Sequence, residues 1–562
     1  MKFNLEYWRE TLKNLGYTLN ESELQIQFLR ERRAIPPGTA LRQASVLYSD
    51  PLTLEIVFLE FESIPSRLSA VKIARYWKEH QQGRQLLLFT DGLQSYAVLV
   101  PGLVEDGSSK ARILSLSDML YRTDKEAIES LHFVEQQKSL RERFDIDFLP
   151  YEKIRDEFFQ GYRNLYQTVY ETVKSYLNDN SNSYSQRFLG RLMFLYFLQK
   201  KGWLKKDKKF VDSIGGYKEL NWVFYQGLSV EGNPGLPYLD GTLFEREEYF
   251  TEEIENKVDP EMDQVFQKAR EFFNGYNFTV DELSPRDVDV SVDPAMIGTI
   301  FEKMLPENER GNKGTFYTPP EETSFICRRS LAAYLGLEEH IGVASGQQVL
   351  EDGLSKYIET LRSEKSDKMV REFRSKLLNL RILDPAVGSG GFLLGMMQEI
   401  LMLIDQAEDT VGWRGDSEEY KKHILPNLFG FDIEGEAIEI ARLRLWLSLI
   451  VDQKEAEPLP NLDMNIVKVG DSLIKPEGVQ SKFDDESLSI SEGMKNIRER
   501  FTHNNKPAER ARLRKEYQKI QDELEKKTGI KGGVIEYWIP DRADIVVMNP
   551  PYIRQNVFLV FF

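Results

Sequence analysis

Cysteine is almost missing from this sequence: Cys327 is the single one in 562 residues. No intrachain disulfide can form, and a reducing compartment is expected. Histidine is scarce too. Its five positions (His80, His132, His340, His423, His503) show no metal-ligand spacing, so a structural zinc site is not expected. No uncharged run approaches the ~20 residues of a membrane span. The first residues, Met1-Lys2-Phe3-Asn4-Leu5-Glu6, are charged and lack the apolar core of a signal peptide; a cytoplasmic location without a membrane partner is expected. Positive charge is short as well, with a formal net charge of -17. That argues against a nonspecific nucleic-acid coat, while a locally basic face is compatible with an acidic whole.

The rest of the composition reads as globular: 41% apolar and 29% charged residues. The length suits about three domains at ~150 residues each, and the sequence pattern divides at 1–150, 151–310 and 311–562. The first stretch reads as a small α/β domain. Leu54 to Phe61 is a buried strand, and Ser66 to Gln82 has helical periodicity with Ala70, Ile73, Tyr76 and Trp77 on one face. Strands at 85–89 and 96–100 are joined through an Asp91-Gly92 turn. Two acids on a strand followed by helix, strand, turn and strand are similar to the core of PD-(D/E)xK nucleases. That likeness implies Mg2+ held by Asp50 and Glu60, but Glu62 stands where such enzymes carry a lysine. Three readings stay open: strand-end acids in solvent or paired with Arg67, an active metal-dependent nuclease, or a degenerate DNA-binding remnant. Arg30, Arg32 and Arg33 could touch phosphate or form a solvated face.

Residues 151–310 read as a mainly helical connector. Phe188, Leu192, Phe194, Leu195, Phe197 and Leu198 make a broad apolar stripe, and Lys200-Lys201-Gly202 supplies a stop. The lysines at 205, 206, 208 and 209 suit a solvated loop or a phosphate backbone. From Gly314 onward the motifs carry chemistry. Thr318-Pro319-Pro320-Glu321 has the form of a helix start, with Thr318 as N-cap and Glu321 closing a capping box. Leu383-Asp384-Pro385-Ala386-Val387-Gly388-Ser389-Gly390-Gly391-Phe392 reads as strand, glycine-rich turn and helix, where backbone can pass close beneath a ligand. A second strand ends in Asp432 and a third, 464–471, in Asp471. The gap from Asp384 to Asp432 exceeds the usual ~20 residues, so an insertion is expected near 406–425. The basic stretch 495–531 reads as helical, either beside DNA or exposed to solvent. A fourth, buried strand, 543–548, delivers Asn549-Pro550-Pro551-Tyr552 into a loop. There the Asn549 side-chain oxygen and the Pro550 carbonyl can accept the two N–H bonds of a base amine, two prolines stiffen the loop, and Tyr552 can stack on a base turned out of the duplex.

In this order the motifs resemble those of gamma-class amino-group DNA methyltransferases using S-adenosylmethionine. The wider layout is similar to single-chain type IIG/IIL restriction–modification proteins and related phage-defence methylases. The resemblance implies an α/β, Rossmann-like methyltransferase domain with an incomplete sheet, preceded by the helical connector and the nuclease-like domain. It implies cofactor contacts from Phe316, Tyr317 and Thr318, from Asp384, Ala386, Gly388 and Gly390, from Asp432 and Ile433, and from Asp471 and Ser472. It implies catalysis by Asn549, Pro550, Pro551 and Tyr552 in the form typical of adenine-N6 enzymes, with N4-cytosine also open, on double-stranded DNA. Family members continue into a target-recognition domain. This chain ends at Phe562, so a truncated enzyme is expected, one whose recognition half is absent or supplied by another chain. Methylation with cleavage, methylation alone, and a non-catalytic cofactor- or DNA-binding fragment all stay open at the level of sequence.

Overall fold

The computed structural model describes residues 2–25, 40–50, 54–65, 84–100, 111–116, 120–131, 151–279 (less 240, 241, 245 and 248), 318–337, 346–413, 415–462, 465–468, 507–528 and 543–549, with scattered residues at 69–77, 288–292 and 493–501. By its internal contacts the chain forms two compact units, Met1–Leu165 with Gln267–Asp293, and Tyr166–Phe266 with Pro294–Phe562. The helical stretch 151–310 is therefore shared between them.

The first unit opens with α1 (Leu5–Asn14), capped by the Asn4 side chain, which accepts from the Tyr7 N–H. A seven-stranded sheet follows in chain order: β1 (Ser22–Glu23), β2 (Leu41–Asp50), β3 (Leu54–Phe61), β4 (Arg84–Thr90), β5 (Ser95–Val100), β6 (Arg112–Leu116) and, after α2 (Arg122–Glu129), β7 (Val288–Asp289). β3 and β4 run parallel, as do β6 and β7, and the other neighbours are antiparallel. A parallel pair needs a crossover. The helical residues Ala70, Ile73, Ala74 and Trp77, between β3 and β4, pack into one core with Val57, Leu59, Phe61, Leu87, Phe89 and Val98. Asp91 Oδ1 accepts from the N–H groups of Leu93 and Gln94 to close the β4–β5 turn, where Gly92 takes φ +90°. Tyr76, Arg67 and Arg30, Arg32 and Arg33 lie outside the described residues.

The long helix α3 (Tyr151–Leu177) leads into α4 (Ser181–Lys201), which stops at Gly202 in the left-handed region, φ +75°. After α5 (Tyr217–Trp222) and α6 (Glu252–Asn274), the second unit continues with α7 (Pro320–Tyr334), α8 (Gly346–Glu364) and α9 (Asp367–Leu378). Then come β8 (Ile382–Asp384), α10 (Gly391–Asp409), α11 (Ser417–Ile424), β9 (Leu428–Asp432), α12 (Gly435–Asp452), β10 (Ile466–Lys468), α13 (Pro507–Thr528) and β11 (Ile545–Val546). The extra residues between the two strand-end acids go into the length of α10 and into α11.

The four strands form a parallel sheet in the order β10-β9-β8-β11. Chain order thus runs outward from β8 to β10, then reverses to β11. Such a reversal opens a crevice at the carboxyl ends of β8 and β11, the switch point at which open α/β sheets bind ligands. The strand expected at 543–548 is shorter and only half buried. Its ladder covers Ile545–Val546, with Ile545 and Val547 inside, while Val546 and Met548 are 55% and 47% exposed. β11 is one of the two outer strands of the described sheet, and only one of its faces is covered by described residues.

One core in this unit carries charge that sequence periodicity did not reveal. Arg191 of α4, 1% exposed, lies 2.9 Å from the Glu247 carboxylate and donates to the Tyr225 hydroxyl (3.0 Å) and the Leu243 carbonyl. Arg187 reaches both Glu247 and Glu439 of α12. A buried arginine is tolerable only when so satisfied; it is Arg187, through Glu439, that ties α4 to the helix behind the glycine turn.

Candidate active site

β8 ends in Asp384, which is fully buried. The Ala386 N–H donates to its Oδ1 at 3.0 Å, folding the turn back on the strand end. Its Oδ2 is buried with no hydrogen-bond partner among the described residues. Burial pushes this carboxyl up to about 8, against one backbone hydrogen bond that favours the charged form, with the nearby Asp432 charge adding to the rise. An orphaned, buried acceptor is unfavourable unless something supplies a donor.

The turn itself is held from beneath. The Val387 N–H donates to the Phe431 carbonyl at 2.9 Å, so the turn crosses the end of β9. Gly430 makes that crossing possible: a Cβ there would lie 2.7 Å from Val387 Cγ2. Gly390 takes φ +82°, and its Cβ would meet Ala441 of α12 at 3.2 Å, so glycine is needed for both conformation and packing. Above Gly388 and Gly391 a Cβ would meet nothing within 4 Å. From behind, Arg444 of α12 donates to the Ser389 carbonyl (2.7 Å) and hydroxyl (3.0 Å). The register sets Asp384 opposite Gly430, placing Asp432 two residues further along. Asp432 accepts from the Gly388 N–H through Oδ2 and from the Glu434 N–H through Oδ1, both at 2.9 Å. Burial raises its carboxyl above the ordinary range. Beside it, Ile433 is 51% exposed.

On the other side of the crevice, the Val547 N–H donates to the Leu383 carbonyl at 2.9 Å. Asn549 follows two residues beyond, at the same sheet end as Asp384. Its Nδ2 donates to Thr318 Oγ1 at 2.9 Å. Thr318 is not the helix cap that its sequence suggests: α7 starts at Pro320 with Pro319 at the cap position and no side-chain capping bond. The hydroxyl is used on Asn549 instead. The structure thus brings Thr318, Asp384, Ala386, Gly388, Gly390, Asp432, Ile433 and Asn549 to one sheet end. Phe316, Tyr317, Asp471, Ser472, Pro550, Pro551 and Tyr552 lie outside the described residues.

The arrangement suits a cationic ligand with hydroxyl groups. Two neighbouring carboxyl groups, one with an unused acceptor, suit an ammonium or sulfonium, which favours their charged form, and disfavour a pyrophosphate, which opposes it. The acceptor pair, the open space over Gly388 and the exposed Ile433 side chain fit S-adenosylmethionine on those grounds.

The nuclease pair is different. The register sets Asp50 opposite Leu54 and Glu60 opposite Gln43, so the two acids sit at opposite ends of the β2–β3 pair, about 20 Å apart at ~3.3 Å per residue. One metal ion cannot span that, and no group of three or more metal-ligating side chains occurs among the described residues. The expected Asp50–Glu60 metal site is therefore not assembled by this fold.

Sequence reasoning missed Arg444 and Gly430. A glycine inside an apolar strand (Phe429-Gly430-Phe431) is a signal of close backbone approach. An arginine within the apolar helix Leu443-Arg444-Leu445-Trp446 is a signal of a buried partner.

Residues 360–472 match the family described as MmeI, DNA-methyltransferase domain, and residues 426–558 match the Eco57I restriction-modification methylase. A protein of Methanocaldococcus jannaschii named as a type II restriction enzyme and methyltransferase is 30% identical over 324 residues, 51% of this chain. The chain spans 27% of that relative's length. Among solved structures, the type IIL restriction-modification enzyme MmeI in complex with DNA is similar at 19% identity and a TM-score of 0.34, covering 52% of this chain and 36% of that one. The DrdV–DNA complex is similar at 11% identity and a TM-score of 0.24, covering 74% and 32%. No described helix is long and apolar enough to cross a membrane.

Proposed function

Taking residues 360–558 as a restriction–modification methylase domain, we propose that this chain methylates adenine N6 in double-stranded DNA, with S-adenosylmethionine as donor. The observation that carries the reading is the convergence of Asp384, the glycine turn and Asn549 on the switch point of one parallel sheet. When bound, S-adenosylmethionine supplies a methyl group on a sulfonium, which departs as a neutral thioether. Asp384, whose Oδ2 is buried with no hydrogen-bond partner among the described residues, would hold the ammonium of the methionine moiety, and a cation there would favour the charged form of the carboxyl. Asp432 would accept from the ribose hydroxyls, and Ile433 and Asp471 would serve the adenine side. Phe316 and Tyr317, by their motif, would serve the methionine end, and Ser472 would help hold the cofactor.

On the substrate side, Asn549 Oδ1 and the Pro550 carbonyl accept the two N–H bonds of the target amine. The amine nitrogen is otherwise flattened by delocalisation into the ring, and two acceptors favour its nucleophilic, pyramidal form. Pro551 stiffens the loop and Tyr552 stacks on the flipped base. N4-cytosine presents a similar amine, so the base is decided by product analysis.

The test is labelled-methyl transfer from S-adenosylmethionine to unmethylated DNA, followed by nucleoside chromatography. N6-methyladenine is expected, with Asn549→Ala reducing the rate at least a hundredfold. Label in methylcytosine would correct the base. Transfer undiminished in Asn549→Ala would remove this loop from the chemistry.

A further inference from the structure

We propose that Thr318 is a positioning residue that orients the Asn549 amide, an inference that rests on the methyltransferase reading. The side-chain amide of Asn549 has two unlike ends. Only the oxygen end can accept from a target amine; with the NH2 end turned toward it, donor faces donor. The structure engages the NH2 end elsewhere, as Asn549 Nδ2 donates to Thr318 Oγ1 at 2.9 Å. That bond leaves Oδ1 for the base.

The two partners are unequally braced. Asn549 follows a strand whose outer face is exposed at Val546 and Met548. Thr318, in contrast, precedes a helix locked onto the one that follows the glycine turn. Ser324 Oγ donates to Glu399 of α10 at 2.5 Å and Arg328 donates to the same carboxylate at 2.7 Å. Gly395 lets α7 approach so closely that a Cβ would lie 2.7 Å from Thr323 Cγ2. Thr323 in turn donates its hydroxyl to the Thr318 carbonyl at 3.4 Å. A rigidly held hydroxyl therefore fixes the amide of a less supported strand end. No capping bond competes for that hydroxyl, since Pro319 stands at the cap position of α7 and the helix has no side-chain capping bond.

The experiment compares Thr318→Val, which keeps shape but loses the acceptor, with Thr318→Ser, which keeps the acceptor. Single-turnover methyl transfer, equilibrium cofactor binding and thermal unfolding are measured on the full chain. The expected result is a rate at least tenfold lower in Thr318→Val, a rate within threefold of the parent in Thr318→Ser, and cofactor Kd within twofold in both. Equal rates in the two variants would overturn the proposal while leaving the function standing. So would a loss confined to cofactor Kd, which would make Thr318 a cofactor ligand. Should Thr318→Val not fold, Thr318→Ala against Thr318→Ser makes the same comparison. No transfer by the parent chain would overturn both the function and the positioning role.

Discussion

Asp384 is where stability and function oppose each other. Its carboxyl stands at about 8 in the folded chain, against about 3.9 when unfolded. Between those values the folded state holds the extra proton. The contribution of this group to stability is thus fully present below about pH 4 and is lost as pH rises toward 8, by up to about 1.4 kcal/mol per pH unit. Replacing the group by a neutral isostere, Asp384→Asn, should raise the melting temperature at pH 8 and flatten its pH dependence in that window. The same change should weaken S-adenosylmethionine binding. In the parent, a cation must displace the proton, so affinity should strengthen from pH 6 to 8, by no more than about tenfold per unit. In the variant it should be weaker and nearly constant. Equilibrium dialysis across that range checks both, and a parent profile that is flat would refute the proton-coupled site.

Among the elements, the decisive contact is α7 against α10. Gly395 is the permissive residue, because any side chain meets Thr323 Cγ2 at 2.7 Å and Cys327 Sγ at 3.3 Å. Overpacking of this kind costs about 1–3 kcal/mol. Gly395→Ala should lower the melting temperature, and adding Thr323→Ser, which removes Cγ2, should recover part of the loss. Additive effects in that double-mutant cycle would mean the two residues do not touch. Much of this frame was legible in the sequence. The glycine turn, the strand-end acids Asp384 and Asp432 and the Gly202 stop all obey local rules of chain geometry. What escaped was set by distant partners. Thr318 satisfies every local rule for an N-cap, yet its hydroxyl is spent on Asn549. Arg191 and Glu247, 52 and more residues from several of their partners, carry no local signal of burial, yet each is buried beside the other's charge. The Asp50 and Glu60 pairing fails for a similar reason: two acids nearby in sequence sit at opposite ends of a strand pair once hairpin register is known.

For the molecule as a whole, the acidic charge of -17 means that, on the proposed function, DNA would be drawn to a local surface rather than to the protein at large. The strand order has another consequence, in time rather than in space. β8 meets β9 after an excursion of some forty residues, whereas Arg381 and Asp544, which join β8 to β11, are 163 residues apart. Closing the longer loop carries the larger entropic penalty and comes later. The glycine turn and its acids therefore form before Asn549 reaches them. In pulse-labelled hydrogen exchange during refolding, the amides of Gly430 and Val387 should be protected ahead of that of Val547; protection of Val547 first would reverse the order. A chain still folding would hold a nearly finished cofactor cradle while chemically silent.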